Sequence, residues 1–234
     1  MIFAGTSGYS FKEWVGTFYP EKTPAKAFLS HYAKELASVE INHTFRRFPR
    51  EELVRAWAEQ TPESFKFSFK MHQSVTHRAR LRNVRRSLED FMNALVPLGP
   101  RLGAVLFQLP PFFKRDLERL DAFLDDLPPG PRYAMEFRHD SWREPVVLER
   151  LRCARVALAA ADLEIDITAE VPVTAPFAYV RFRKEPPYPD EDVVKAREIV
   201  ARLSQQVEDI YLYVKHDDNG RAPLDVKAIG APPG

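Results

Sequence analysis

The sequence predicts an α/β protein: a single (β/α)8 barrel of the TIM type covering residues 1–234. Eight short segments rich in β-branched, aromatic and aliphatic residues recur, at residues 2–8, 39–45, 66–72, 104–110, 132–139, 156–162, 177–183 and 210–217. Most are followed by a stretch with helical periodicity, at intervals of roughly 20 to 40 residues, the size of a βα unit. Most also close on charged or polar side chains, as expected of a fold whose chemistry gathers at the C-terminal ends of its strands.

The first segment starts at once, Met1-Ile2-Phe3-Ala4-Gly5, without the basic region and apolar stretch of a secretory signal. The expectation is a cytoplasmic protein. Gly5-Thr6-Ser7-Gly8 reads as a tight turn or as a backbone anion site. The connection after it carries Tyr9, Phe11, Trp14, Phe18 and Tyr19 around Gly16, an aromatic set suited either to stacking a sugar or base or to folding back as a cluster. Thr23-Pro24 is expected to open the first helix, with Phe28, Leu29, Tyr32, Ala33 and Leu36 on its inner face.

In the second segment Glu40, Asn42 and Thr44 share one parity. In the third, Lys66, Ser68, Lys70 and His72 oppose Phe65, Phe67, Phe69 and Met71, so the polar set should point into the barrel. Arg46, Arg47 and Arg50 follow the second segment, and Arg78, Arg80, Arg82, Arg85 and Arg86 the third. Positive charge therefore collects where barrels bind ligands. The fourth unit continues into a stripe of Leu117, Leu120, Phe123, Leu124 and Leu127, with Asp116, Glu118, Asp121, Asp125 and Asp126 around it.

The fifth segment aligns Ala134, Glu136 and Arg138, and its helix closes on Cys153. That single cysteine excludes an intrachain disulfide and is expected to be a small buried side chain. The sixth unit is weak, because residues 163–176 contain Pro172 and Pro176 and lack a convincing helix. The seventh leads into Val193, Val194, Ala196, Ile199, Val200 and Leu203, a further core stripe. The last helix reads as short, ending near Ala228.

A formal charge of +1 argues against a protein that coats nucleic acid indiscriminately, and 45% hydrophobic residues are enough for a full core. The longest purely aliphatic run, residues 156–161, falls far short of the roughly 18 residues of a membrane span. No phosphate loop, dinucleotide fingerprint or nucleophile elbow is present, so no motif names a cofactor.

Polar side chains inside a barrel are costly unless paired. Glu40, Lys70, Glu136 and Arg138 should therefore form a mutually satisfied ionic network near the mouth. Glu40, Lys70, Glu136 and Asp162 are the candidate catalytic residues, with Thr6, Trp14, Asn42, His77, Gln108, Arg138 and Arg181 as candidate substrate contacts. Six of these, Glu40, Lys70, Glu136, Arg138, Asp162 and Arg181, are expected in one pocket. His72, His77, His139 and His216 could instead join Glu40, Glu136 or Asp162 around a metal, but no close histidine pair marks such a site and no metal ligand is assigned.

These residues lie within stretches that resemble the YecE-like family, domain of unknown function 72. The matching stretches are Gly5-Thr6-Ser7-Gly8-Tyr9, Trp14-Val15-Gly16 and Phe18-Tyr19-Pro20, then Val39-Glu40-Ile41-Asn42 with Thr44-Phe45. They continue through Phe67-Ser68-Phe69-Lys70, Thr76-His77, Leu106-Phe107-Gln108-Leu109-Pro110-Pro111, Glu136-Phe137-Arg138-His139 and Ser141-Trp142. Asp162, Tyr179-Val180-Arg181 and Tyr213-Val214-Lys215-His216 complete the set. The resemblance implies a TIM-barrel-like fold and no particular activity. Many members end in a longer segment with an Asn-Ala pair, which residues 222–226 lack.

The residues favour an enzyme acting on a small anionic metabolite, phosphorylated or carbohydrate-like, with Glu136 or Glu40 as acid or base, Lys70 as electrostatic partner and Arg138 and Arg181 as anion clamp. A nucleic-acid-binding protein or nuclease using the arginine rim, and a noncatalytic metabolite-binding protein, are the alternatives.

Overall fold

Eight parallel strands close on themselves in sequence order in the computed structural model, which describes residues 1–162 and 171–230. They are β1 (Ile2–Thr6), β2 (Ser38–Ile41), β3 (Lys66–Lys70), β4 (Leu102–Gln108), β5 (Arg132–Glu136), β6 (Ala157–Ala161), β7 (Phe177–Phe182) and β8 (Asp209–Val214). Closure comes from β1, which pairs with β2 on one side and along its whole length with β8 on the other. Every predicted strand is present, so the fold is the (β/α)8 barrel.

Both faces of each strand are buried, which is why the segments read as near-continuous apolar runs. Outward-facing Val39, Ile41, Phe67, Phe69, Val105, Phe107, Val180, Leu212 and Val214 pack under the helices. Inward-facing Phe3, Ala104, Leu106, Ala134, Ala157, Ala159, Phe177, Tyr179, Tyr211 and Tyr213 fill the lumen. The strands come so close at the first turn that a Cβ on Gly5 would lie 1.8 Å from the Ser38 carbonyl oxygen. Only glycine fits there.

Seven α-helices surround the barrel among the described residues. The first, α1 (Phe28–Glu35), begins later than the Thr23-Pro24 signal suggested, because the Thr23 hydroxyl donates back to the Pro20 carbonyl instead of capping a helix, and a 3-10 turn over Ala25–Ala27 intervenes. α2 (Glu51–Glu59) and α3 (Arg85–Leu95) bury Val54 and Trp57, and Leu88, Phe91 and Leu95. α4 (Leu117–Asp125) is capped by Asp116, whose carboxylate accepts from the Arg119 amide at 3.1 Å. α5 (Pro145–Cys153) starts on proline and buries Val147 and Leu151. Cys153 is exposed, contrary to expectation. Two residues past Leu151, it is rotated by about 200° onto the opposite face.

α6 (Asp190–Ser204) buries Ala196, Ile199, Val200 and Leu203. α7 (Ala222–Gly230) is short, as read from the sequence, and sets Val226 and Ile229 into the core. No helix joins β6 to β7 among the described residues; part of that weak sixth unit, residues 163–170, lies outside them. Among the described residues no helix is long and apolar enough to cross a membrane.

The N-terminal end of the barrel is closed by ion pairs. Arg132 donates to Asp209 at 2.6 Å and to the Tyr211 hydroxyl at 2.9 Å, and the Met1 amino group pairs with Asp209 at 3.1 Å. Tyr179 and Tyr213 lie above as an aromatic layer, their ring centroids 5.3 Å apart and their planes tilted by 48°. The mouth lies beyond that layer.

Candidate functional site

Strand alternation brings Glu40, Lys70, Gln108, Glu136 and Arg181 to one level of the lumen, since each lies at or next to the end of its own strand with the inward parity. Arg181, 1% exposed, is the centre. Its Nε and Nη2 donate to the two oxygens of Glu40 at 2.9 and 3.0 Å, and its Nη1 donates to Glu136 at 2.6 Å. Glu40 also accepts from the Tyr179 hydroxyl at 2.8 Å and the Asn42 amide at 2.8 Å. Glu136 accepts in addition from Arg138 at 3.1 Å and from the Gln108 amide. Gln108 turns its amide oxygen to Lys70, whose Nζ donates at 2.7 Å.

The electrostatics follow from who pairs with whom. Burial pushes the Glu136 carboxyl up, but the Arg181 and Arg138 guanidiniums, with hydrogen bonds from Arg181 and Gln108, outweigh it and hold the carboxyl at about 2. Glu40 is likewise pushed up by burial and pulled below its ordinary value by Arg181 and Arg183 and by hydrogen bonds from Arg181 and Tyr179. Both carboxylates are ionised at neutral pH. Neither has the raised value that a general acid needs, and a carboxylate so heavily solvated by donors is a weak base. In this arrangement Glu40 and Glu136 are the anions of a buried ion-pair network. Arg181 likewise spends its donors inward, on Glu40 and Glu136.

Lys70 behaves differently. Burial, with Arg181 next, lowers its amine to about 8, against an opposing pull from Glu136 and Glu40. Its Nζ sits 4.3 Å from the centre of the Phe45 ring, and His77 packs edge-on against the same ring at 4.8 Å. The His77 imidazole is depressed by burial and by the Lys70 and Arg138 charges, and it shares a hydrogen bond with the Thr76 hydroxyl at 2.9 Å.

Asp162 does not join the network. Its carboxylate accepts from the Arg183 backbone amide and from the Tyr188 hydroxyl at 2.9 Å, fixing the chain that leaves β7. Five of the six residues expected together do meet, directly or through Gln108. Thr6 is buried in the first turn, its hydroxyl 2.6 Å from the Gly8 carbonyl and 2.8 Å from the Tyr32 hydroxyl. The amides of Thr6, Ser7 and Gly8 are all taken by protein oxygens, so this segment is a turn and not an anion nest. Trp14, 0% exposed, packs against Phe11, Phe18 and Tyr19 and donates its indole N–H to the Asp217 carbonyl at 2.7 Å. The aromatic connection is a folded-back cluster, and Trp14 offers no stacking surface.

The four histidines expected as possible metal ligands are dispersed: His72 bonds Ser74, His77 lies against Phe45, His139 caps the turn at Ser141, and His216 stacks on Phe11. Among the described residues no three of histidine, cysteine, aspartate and glutamate gather as a ligand set.

Two residues that matter here escaped the sequence reading. Tyr179 holds Glu40 from below. Among the described residues the Arg183 side chain hydrogen-bonds only the neutral Ser7 hydroxyl, at 3.1 Å, and its guanidinium is lowered by burial and by Arg181. Both share the parity of Arg181, which was the available signal.

Comparisons with known proteins agree with this architecture. The family model described as "Protein of unknown function DUF72" matches residues 3–231. The chain is 36% identical over 140 residues to the UPF0759 protein YecE of Escherichia coli K12, covering 59% of this chain and 49% of that one. It is 31% identical over 163 residues to the UPF0759 protein YunF of Bacillus subtilis, covering 64% and 55%. The chain thus spans about half the length of the curated relatives it matches. A DUF72 family crystal structure from Thermotoga maritima superimposes with a TM-score of 0.82 at 27% identity, covering 98% of each chain. With a family model matched along nearly its whole length and a barrel shared with a solved relative, the chain belongs to the DUF72 family.

Proposed function

We propose that the protein is an enzyme that takes a small anionic metabolite at the barrel mouth, with Arg183 and Arg138 receiving the anion and Lys70 exchanging the proton. The observation that carries this reading is a mismatch of partners. Among the described residues, Lys70 and Arg183 are cations in a half-buried setting whose side chains hydrogen-bond only neutral groups, Gln108 and Ser7. The nearby carboxylates of Glu40 and Glu136 are occupied by Arg181, with Arg138 on Glu136. Half-buried positive charge whose neighbouring carboxylates are already hydrogen-bonded to other donors favours an anionic guest. The buried, unpartnered Oδ1 of Asn42 adds an acceptor for a hydroxyl or amine of that guest.

Calorimetric titration with inorganic phosphate and with pyruvate, against glycerol as a neutral control, tests the reading. The parent should bind the anions and not glycerol, and Arg183→Gln should weaken anion binding about tenfold or more. Equal response to glycerol, or an unaffected variant, would count against it.

A second reading is favoured by the rim. Arg46, Arg47, Arg50, Arg78, Arg80 and Arg82 are all exposed on the connections that follow β2 and β3. Such a row suits a polyanion such as single-stranded or duplex nucleic acid. Its hallmark is a steep salt dependence, absent for a guest with one charge.

A further inference from the structure

Lys70 stands apart from the carboxylates around it. The two oxygens of Glu40 take Arg181, Tyr179 and Asn42, and those of Glu136 take Arg181, Arg138 and Gln108. Gln108 cannot turn over, because its amide nitrogen is committed to Glu136, so its oxygen must face the lysine. That oxygen accepts a single N–H. A neutral amine satisfies it fully and keeps its lone pair pointing elsewhere, whereas an ammonium there has no countercharge in contact among the described residues.

We propose that Lys70 is an imine-forming nucleophile and that the anionic guest carries an aldehyde or ketone carbonyl. This rests on the anion-binding reading above and adds the substrate class. Burial and the neighbouring guanidiniums bring the amine to about 8, so about a tenth of the molecules hold a neutral Lys70 at pH 7.

The neutral nitrogen attacks the carbonyl carbon. As the C–N bond forms, the C=O π pair moves onto oxygen, which takes a proton while nitrogen gives one up, leaving a carbinolamine. Its hydroxyl is protonated and departs as water, and the nitrogen lone pair closes the C=N bond of a protonated imine. No oxidant or reductant is consumed. The protonated imine carries the same charge as the ammonium, and the anionic group of the guest supplies the countercharge that the occupied carboxylates of Glu136 and Glu40 do not.

The test is reductive trapping of the full chain with sodium cyanoborohydride and either pyruvate or glyceraldehyde 3-phosphate, read by intact mass and peptide mapping. The expected product is one adduct on the peptide containing Lys70, heavier by the carbonyl compound less one oxygen atom. It should form at least about tenfold faster than on any exposed lysine. Between pH 6 and 7 its rate should climb nearly tenfold as the neutral amine grows in. Inorganic phosphate should slow it without altering labelling of exposed lysines.

The Lys70→Arg variant, checked for folding by its thermal melt, should lose the adduct. Phosphate protection of the parent gives the same answer should that variant fail to fold. Adducts spread evenly over surface lysines, or trapping at Lys70 that phosphate leaves untouched, would overturn the proposal. If calorimetry shows phosphate binding at the mouth while Lys70 stays unlabelled, imine formation falls and the anion site stands. If neither is seen, both fall.

Discussion

Arg181 and Glu40 meet across the barrel lumen in a two-point ion pair, Nε to Oε1 at 2.9 Å and Nη2 to Oε2 at 3.0 Å, with both side chains essentially sealed from solvent. A planar fork against a planar carboxylate fixes orientation as well as distance. Because the same guanidinium also holds Glu136, three strands far apart in sequence are tied at one point. The pair is thus a structural centre around which Lys70, Arg138 and Arg183 are arranged.

Removing one member of that centre strands a buried charge. Glu136→Gln should leave Arg181 and Arg138 with less compensation and destabilise the fold by about 3–5 kcal/mol, the usual cost of breaking a buried pair. Urea unfolding at pH 7 measures it. A variant as stable as the parent would show that Glu136 is not part of the scaffold.

The same carboxylate makes stability depend on acid. The folded-state value of Glu136, about 2, lies below the ordinary 4.5, so its contribution is complete above 4.5 and is lost as pH falls towards 2. Thermal melts between pH 2 and pH 6 should show a steep acid limb, shallower in Glu136→Gln than in the parent.

Lys70 gives a slope of the same sign at higher pH, but its lowered value makes the charged amine a destabilising group at pH 7. Its folded-state value, about 8, lies below 10.5, so the unfolded chain binds more protons between those limits and the parent gains stability as pH rises through that window. Lys70→Met, which removes the uncompensated ammonium but also a hydrogen bond to Gln108, should raise stability at pH 7 by about 1–2 kcal/mol. The gain should vanish near pH 10.5. Urea titrations at both pH values decide it, and a variant less stable than the parent at pH 7 would mean that the ammonium is well paired.

The rim makes its own prediction. If Arg78, Arg80 and Arg82 bind nucleic acid, log affinity should fall with log salt by about 0.7 to 0.9 per phosphate engaged. Changing all three to Ala should flatten that slope while sparing phosphate binding at the mouth. Fluorescence anisotropy with a labelled oligonucleotide across a salt series separates the two. Binding that ignores salt, or that the triple variant keeps intact, removes the rim from consideration.

The strands were legible because burial on both faces leaves continuous apolar runs, and the lumen-facing set because alternation is strict: Lys66, Ser68 and Lys70 point inward against Phe65, Phe67 and Phe69. What one sequence hides is pairing across the barrel. Glu40 and Arg181 are separated by most of the chain, and nothing local says that they neutralise each other. Trp14 and Asp162 misled for a related reason. An indole in a loop and an aspartate past a strand look the same whether they face a ligand or satisfy nearby backbone and hydroxyl groups. Thr23 and Cys153 show the limit at element ends, where a single hydroxyl contact or a rotation about the helix axis reverses the outcome.

The lumen is filled unevenly. Phe177, Tyr179, Tyr211 and Tyr213 crowd in from β7 and β8, while Ala134, Ala157 and Ala159 on β5 and β6 yield the room they need. Such a division of volume constrains how related sequences drift. Ala159 lies beside Tyr179 in the strand register, so bulk added at the alanine presses on the tyrosine, and these two positions should change in concert across the family, conserving total bulk while exchanging which wall supplies it.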